Sequence, residues 1–330
     1  MKSAPLAKLG LATAALLVGA ASCVGCAGLS KSELETRLAG LAKNAPLAAL
    51  GVERSSATAD AEYAYIRIPA RAGEDAPPIV FVHGTPSTLY NWSALLYEAA
   101  DEPSLVGEGD IYLLEVAGHG IANSNLRAET FQDCADHVRG FLAALDLRGV
   151  TLVGHSYGGE FAWRAALDAP DRVARLVLMD SSGYRRPDDA WLPEEHKLRE
   201  WPGAGFGYLL NSRERLRPAL QLHFEAAISA DQLEEMYLCC DNASNWQAMT
   251  ELCRDENGTR EVEIQRIAQP TLLVWGERDI AYPVETVARR FERDIRGSRL
   301  AVIEGAGHYP HEERIGAVRR ALREFLRGAR

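Results

Sequence analysis

The sequence lacks the features that would connect it with nucleic acid, a metal or a repeated architecture. Its 36 Lys and Arg residues are outnumbered by 46 Asp and Glu residues, and the formal net charge is −10 without a basic stripe. This argues against nucleic acid as a partner, because phosphate binding needs clustered positive charge. No cysteine has metal-ligand spacing, and no internal repeat or low-complexity tract is present. We expect no metal and no organic cofactor.

The sequence also has few long apolar runs. The uncharged run over residues 9–21 is too short to span a bilayer comfortably, which takes about 20 residues. Two lysines precede it and small residues follow it, which is the order of a secretory signal. The stretch AASC ending at Cys23 resembles a bacterial lipobox, so we expect residues 1–22 to be a signal peptide and Cys23 to be lipidated. Cys26 is a weaker candidate, and an ordinary cleaved signal is the alternative.

Export would place the protein on a membrane facing the periplasm or the cell exterior, tethered by the lipid. That compartment is oxidising, so the other cysteines could form disulfides. Cys253 has Cys239 and Cys240 as candidate partners, whereas the adjacent pair would rarely join because its geometry is strained. Buried thiols, Cys134 among them, are the alternative, and the sequence leaves both open.

Apolar runs without alternation recur along the chain, among them PPIVFVHG, VTLVGHS and TLLVWGERD. Such runs are typical of strands buried on both faces of a parallel sheet. Segments with helical periodicity lie between them, so the sequence predicts an α/β fold with a doubly wound, mostly parallel sheet. The expected parts are an N-terminal spacer with a short helix (23–60), a core (61–183 and 266–330) and a helical lid (184–265).

The predicted lid is the one place where this alternation breaks. Residues 184–265 contain no buried-strand run, and their helical segments are interrupted by Gly and Pro. An insertion there would lie over the carboxyl ends of the strands, where open α/β sheets bind ligands. We expect a small-molecule substrate with an apolar part, and the sequence leaves the oligomeric state open. Six aromatic residues either line the pocket or form lid and core packing: Trp92, Trp191, Trp201, Phe206, Tyr208 and Trp246.

The stretch VTLVGHSYGG carries a glycine two residues on either side of Ser156. A G-x-S-x-G pattern that follows a strand and precedes a helix is the nucleophile elbow, a turn too tight for a Cβ at the glycines. The helix that starts after Ser156 would direct its N-terminus, and hence its positive dipole end, at the reaction site. The sequence therefore predicts that Ser156 is a nucleophile.

A serine needs a positioned base, and in this fold class the acid and then the histidine follow the serine along the chain. We expect His308 to be the base, because it lies in the glycine-rich loop GAGHYPHEE, and His311 to be a helix-start residue. Asp279 is the expected acid, since its turn after a buried strand neighbours the loop of His308. Asp180, after an earlier strand, is the alternative acid, and Glu277 is a further rival.

The oxyanion of the reaction would be bound by two backbone N–H groups. We expect one from Tyr157, the residue after the nucleophile, and one from Thr85 in the loop HGTPSTLYNW, whose glycine permits close approach. His83, His119 and His155 are expected to be hydrogen-bonded supports rather than bases or metal ligands.

Five motifs, HGTPS, GHGIANS, GHSYGG, WGERD and GAGHYPHEE, occur in this order between residues 62 and 330. Together they resemble the α/β-hydrolase family. The loop HGTPSTLYNW looks like that of haloalkane dehalogenases and epoxide hydrolases, but those enzymes use an aspartate at the elbow where this chain has Ser156. A serine disfavours their chemistry, which needs a carboxylate nucleophile, and favours acyl transfer to or from esters, lactones, thioesters, amides or diketones.

The resemblance implies a carboxylesterase-like serine hydrolase that works through an acyl-enzyme, with Ser156, His308 and Asp279 as a triad. A cofactor-free haloperoxidase, perhydrolase or acyltransferase on the same residues is the alternative within enzymes. A receptor that binds a ligand without turnover is the alternative from another class, because the fold alone does not choose among these.

Overall fold

The computed structural model describes residues 28–58, 61–70, 76–97, 105, 109–122, 128–191, 199 and 211–328. Eight strands form one sheet in this part of the chain. In chain order they are β1 (Glu53–Thr58), β2 (Ala61–Ile68), β3 (Ile79–Val82), β4 (Ile111–Leu114), β5 (Val150–His155), β6 (Val173–Met179), β7 (Thr271–Gly276) and β8 (Arg299–Ile303). Their spatial order is β1-β2-β4-β3-β5-β6-β7-β8.

The sheet is mostly parallel. The pairs β1–β2 and β2–β4 are antiparallel, whereas every neighbouring pair from β4 to β8 is parallel. In β3, Ile79 and Phe81 join one apolar cluster while Val80 and Val82 join another. Alternate side chains thus enter a core on each face of the sheet, which explains why the strand is a continuous apolar run. The predicted α/β fold with a mostly parallel sheet is confirmed.

Helices cover both faces of this sheet. The α-helices of the described residues are α1 (Lys31–Ala39), α2 (Ala45–Ala48), α3 (Ser93–Tyr97), α4 (Phe131–Ala144), α5 (Tyr157–Asp168), α6 (Arg213–Gln221), α7 (Ala230–Cys240), α8 (Ala243–Asp255), α9 (Arg289–Asp294), α10 (Pro310–Glu313) and α11 (Ile315–Arg327). Short 3₁₀ helices span Ala42–Asn44, Leu89–Trp92, Asp188–Ala190 and Glu261–Arg266, and a π-helical turn spans Val284–Ala288. Buried residues of α4 and α5 belong to one core, and those of α3 and α11 belong to the other.

The segment that the sequence predicts as a spacer is packed onto the body. Leu34, Leu38 and Leu47, from α1 and α2, are fully buried in one of the two cores. Strand β1, also inside the predicted spacer, forms the edge of the sheet. Its sequence ERSSAT is polar, because an antiparallel edge strand need not be buried on both faces. It therefore lacks the continuous apolar run that is typical of the central strands.

Helices α6, α7 and α8 lie in the segment between β6 and β7, where the sequence predicts the lid. Capping explains two of their starts: Ser229 forms a capping box with Gln232 at α7, and the Asn242 side chain accepts N–H groups at the start of α8. The helical character of the insertion agrees with the prediction. Its bounds and its role as a lid stay predictions.

The cysteines of the described residues are buried thiols: Cys134, Cys239, Cys240 and Cys253. This selects the thiol alternative over a disulfide from Cys253. Cys239 Sγ donates to the carbonyl of Ser87 at 3.1 Å, which holds the thiol inside the protein.

The predicted signal peptide and the lipidation site Cys23 lie outside the described residues. Among the residues that are described, no helix has the length and hydrophobicity to cross a bilayer.

Candidate active site

Ser156 occupies a strained turn between β5 and α5. Its backbone lies in the left-handed region, with φ 55° and ψ −124°, which costs a non-glycine residue about 1–3 kcal/mol. A Cβ on Gly154 would overlap the carbonyl of Gly158, and a Cβ on Gly158 would overlap the carbonyls of Val82 and His83 at the end of β3. The two glycines are therefore required for space, as the G-x-S-x-G pattern predicts.

The structure brings the three residues of the predicted triad into one chain of hydrogen bonds. His308 Nδ1 lies 3.0 Å from Asp279 Oδ2, and His308 Nε2 lies 3.0 Å from Ser156 Oγ. A carboxylate only accepts, so Nδ1 carries the proton and Nε2 is left to accept the hydroxyl proton of Ser156. This is the tautomer that a general base needs.

Asp279 is held by its own turn. Its Oδ1 accepts the backbone N–H groups of Ala281 at 2.8 Å and Tyr282 at 3.2 Å. The side chain of Asp279 is buried, and its other oxygen faces His308. Backbone donors that converge on one oxygen stabilise the negative charge and fix the carboxylate's orientation.

The alternative acid, Asp180, lies beside this pair. It follows β6 and is fully buried, and its Oδ1 accepts the Gly276 N–H at 2.8 Å. Nδ1 of His308 is bonded to Asp279, which makes Asp279 the acid of the hydrogen-bonded chain. The third rival, Glu277, accepts a backbone N–H of the loop before His308 and has a side chain that is 47% exposed.

The loop that carries His308 is fixed by two contacts that sequence reasoning did not single out. The His155 ring donates from Nε2 to the carbonyl of His308 at 2.7 Å. The N–H of His308 donates to the carbonyl of His223, which belongs to the segment between β6 and β7, at 2.8 Å. Burial lowers the pKa of His155 well below its ordinary value, so the ring is neutral. It acts as a support, as expected.

The remaining histidines near the site are also supports. His83 is fully buried with Nε2 2.8 Å from a carboxylate oxygen of Glu115. His119 donates from Nδ1 to a backbone carbonyl, and burial lowers its pKa to about 3. His311 donates from Nε2 to Asn91 at 2.7 Å, and burial lowers its pKa to about 3. A ring with so low a pKa is a weak base at neutral pH.

The loop expected to supply one oxyanion donor passes directly beside the nucleophile. A Cβ added to Gly84 would lie 2.7 Å from Ser156 Cβ, so only a glycine lets the backbone come this close. The next residue, Thr85, is anchored through its hydroxyl, which donates to Nε2 of His119. Tyr157 begins α5, so its N–H belongs to the first turn, whose N–H groups point away from the helix body. Both expected oxyanion donors thus flank Ser156.

The segment between β6 and β7 also reaches the site through Glu256. This buried carboxylate accepts the hydroxyls of Tyr157 at 2.8 Å and Tyr282 at 2.9 Å. Nη1 of the buried Arg186 lies 3.6 Å from it. Sequence reasoning did not single out Glu256, because its partners are far away along the chain and no spacing signals them.

Two of the six aromatic residues, Trp92 and Trp191, are buried. Trp92 is fully buried, and its ring packs at a tilt against Phe81 and His311, with centroid distances of 4.9 and 4.8 Å, which makes it a core residue. The guanidinium groups of Arg186 and Arg199 lie 4.2 and 3.8 Å from the ring of Trp191. Trp201, Phe206 and Tyr208 lie outside the described residues.

Among the described residues, Asp180, Asp279 and His308 form the one group with metal-ligand atoms close together, within 4.8 Å of one another. Nδ1 of His308 is already bonded to Asp279, and one oxygen of Asp180 is bonded to a backbone N–H. The hydrogen bonds within this group are those of an acid–base arrangement.

Comparisons with known proteins find relatives that are named as hydrolases. A hydrolase from Bacillus subtilis of uncharacterised activity, YugF, is 27% identical over 76% of this chain and 89% of its own. The 2-hydroxy-6-oxo-2,4-heptadienoate hydrolase of Pseudomonas putida is 26% identical over 76% of this chain and 88% of its own. The solved structure of a bacterial membrane phospholipase A superposes with a TM-score of 0.71 at 22% identity, over 97% of both chains.

The relatives named as hydrolases support an enzyme, and the solved structure shares the fold. The family model described as alpha/beta hydrolase fold matches residues 77–315, a span that runs from β3 to the start of α11 and includes all three residues of the hydrogen-bonded chain. With its strand order, its elbow and this match in agreement, the chain belongs to the alpha/beta hydrolase fold family.

Proposed function

We propose that this protein is a serine hydrolase that cleaves an ester, a lactone or a related carbonyl compound through an acyl-enzyme. The observation that carries the proposal is the continuous hydrogen-bonded chain from Ser156 Oγ through His308 to Asp279, with both links at 3.0 Å. A serine hydroxyl is a weak nucleophile, and a base within hydrogen-bond reach is what activates it.

The reaction follows from this geometry. Ser156 Oγ attacks the carbonyl carbon of the substrate while His308 Nε2 takes its proton, and the pair of electrons of the C=O bond moves to the oxygen. The N–H groups of Tyr157 and Thr85 bind this oxyanion. The tetrahedral intermediate collapses, and His308 gives the proton to the leaving group. A water molecule, deprotonated by His308, then cleaves the acyl-enzyme by the same steps.

A test of this proposal uses an activated-serine probe and a set of p-nitrophenyl esters, lactones and diketones. We expect the probe to label wild-type protein and to leave Ser156→Ala unlabelled. Ser156→Ala and His308→Ala should each lower kcat by about 10⁴–10⁶, and the double variant should lose little more, because the residues act as a unit. Asp279→Asn favours the wrong tautomer and should lower kcat by ~10⁴.

The other candidate functions are separate outcomes of this test. Labelling with turnover only in the presence of peroxide, or only with an alcohol or thiol acceptor, would replace hydrolysis by perhydrolysis or acyl transfer. A folded protein that resists the probe and turns over no substrate would be a ligand-binding receptor. Full activity in Ser156→Ala would refute the mechanism.

We also propose that the enzyme is exported and tethered to a membrane through a lipid on Cys23. The support is the sequence pattern of the first 23 residues. Cells that express the full chain should carry it in the membrane fraction and incorporate labelled fatty acid into it, and Cys23→Ser should abolish the incorporation. Full-length protein with its first residue intact in the soluble fraction would contradict this proposal.

A further inference from the structure

Asp180 is a buried carboxyl group next to the acid of the site. It follows β6 with a backbone φ of 43°, in the left-handed region, and it is completely shielded from solvent. Its N–H donates to the carbonyl of Val274, and its Oδ1 accepts the N–H of Gly276. Both partners belong to β7, the strand that leads into the turn of Asp279. The backbone therefore holds the Asp180 side chain in one place.

A carboxylate oxygen of Asp180 lies within 4.8 Å of one of Asp279, and the buried Oδ2 of Asp180 has no hydrogen-bond partner among the described residues. Two carboxylates cannot share a hydrogen bond unless one of them carries a proton. Asp279 accepts two backbone N–H groups on one oxygen and the His308 N–H on the other, so all its known partners are donors. Asp180 has one backbone donor and is fully buried. A proton shared by the two side chains therefore belongs on Asp180.

The electrostatics agree with this assignment. Burial, and after it the charge of Asp279, raises the pKa of Asp180 well above its ordinary value, while the Gly276 N–H opposes the rise. The titratable groups near Asp180 include Asp279 from the turn after β7, His308 from the loop after β8 and Glu313 from α10.

We propose that Asp180 is a positioning residue of the site, a neutral carboxylic acid whose O–H donates to Asp279 and holds that carboxylate against His308. The inference rests on the proposed function, because it assigns a fourth member to the same hydrogen-bonded chain. Three donors from the protein interior then surround Asp279 in addition to the imidazole, which leaves the carboxylate a single orientation. Asp180, which the sequence offers as the alternative acid, thus orients Asp279.

Two substitutions separate the donor from the shape of the side chain. Asp180→Asn keeps the size, accepts the Gly276 N–H through its oxygen and donates to Asp279 through its amide. Asp180→Leu keeps the approximate size without a donor. A carboxylate that is free to turn away misplaces His308, and a displacement of about 1 Å costs ~10²-fold in rate. We expect Asp180→Leu to lower kcat by about this factor at nearly constant KM, and Asp180→Asn to restore most of the loss.

A direct reading of the proton does not depend on turnover. The infrared difference spectrum of wild type minus Asp180→Asn, taken near pH 7, should contain the C=O stretch of a protonated carboxylic acid. Other buried acids cancel in the difference. Asp146→Asn is the matched control, because Asp146 has a similar φ of 44° but a side chain that is 73% exposed, and contacts with Arg172 and Arg148 lower its pKa. Its difference spectrum should show only an ionised carboxylate.

The outcomes decide between the inference and its rivals. If kcat falls as far in Asp180→Asn as in Asp279→Asn, Asp180 acts as a carboxylate. If folded Asp180→Leu has the kcat of the wild type, the role of Asp180 is structural. Either result overturns the inference. If Asp180→Leu does not fold, the infrared band decides, and its absence overturns the inference as well. The band can also be measured in Ser156→Ala. The probe and ester assays therefore test the proposed function separately, and their failure would not affect the infrared measurement of the Asp180 proton.

Discussion

Replacing Gly84 by alanine tests whether the activity requires the close approach of the Gly84 loop to Ser156. The new Cβ would lie 2.7 Å from Ser156 Cβ and 3.0 Å from the carbonyl oxygen of His155. Carbon atoms in contact prefer about 3.5–4.0 Å, so the Gly84 loop and the elbow must separate by roughly 1 Å. That separation moves the Thr85 N–H away from the position of the oxyanion. Loss of one such donor costs ~10²–10³ in kcat.

We therefore expect Gly84→Ala to lower kcat on a p-nitrophenyl ester by about 10²-fold, and to lower the free energy of unfolding by about 1–3 kcal/mol through overpacking. Steady-state kinetics and urea denaturation measure the two effects. Gly40→Ala is the matched control, because the nearest atoms to its new Cβ are at 3.4 Å and its φ of −78° suits any residue. Wild-type kcat in Gly84→Ala would refute the reasoning, since no contact would then hold the loop against Ser156.

Three further predictions concern buried polar groups: His155, His311 and the ion pair of Lys43 with Glu235. His155→Leu removes the donor to the buried carbonyl of His308 and should cost about 1–3 kcal/mol of unfolding free energy in urea, together with part of kcat. Burial lowers the pKa of His311 to about 3 in the folded protein, against about 6.5 in the unfolded chain. The neutral ring therefore contributes stability above pH 6.5, and this contribution is lost as the pH falls toward 3. The urea midpoint of His311→Gln should thus decline less steeply than that of the wild type over this pH range. Lys43 Nζ lies 2.7 Å from the buried carboxylate of Glu235, so Lys43→Met leaves that charge unpaired and should lower the free energy of unfolding by about 3–5 kcal/mol. The double variant with Glu235→Leu should regain part of this stability, and thermal melting measures both changes.

The central sheet and the elbow could be predicted because their physics is local. A strand buried on both faces must be apolar at every position, and a turn without room for a Cβ must have glycine, so both requirements are written in adjacent residues. The strands β3, β5 and β7 and the Ser156 turn were therefore predictable from short stretches. Edge strand β1 was not, because its antiparallel pairing with β2 sets no such demand on ERSSAT.

The choice between the two candidate acids could not be made from the chain with the same certainty. Asp180 and Asp279 both follow buried strands, and β6 and β7 are neighbours in the sheet, so both carboxyl groups arrive at the same edge. Which of them meets His308 Nδ1 depends on side-chain geometry across three loops. The supports from His155 and His223 are invisible in the sequence for a related reason, since each contacts a backbone carbonyl or N–H of His308 that any residue would have.

The neighbours of the hydrogen-bonded chain explain how one histidine among several can act as the base. His155 and His311 approach closely, with ring centroids 4.5 Å apart, and the His155 ring lies 5.0 Å from that of His308. Burial lowers the pKa of both supporting rings, so neither carries a positive charge near neutral pH. Two neutral rings leave the negative charge of Asp279 to act on His308, the ring that must become positive when it takes the proton of Ser156. His311 is held in place by its hydrogen bond to Asn91. A cation at the position of His311 would repel the positive charge that forms on His308, and would therefore oppose the transfer of the proton from Ser156.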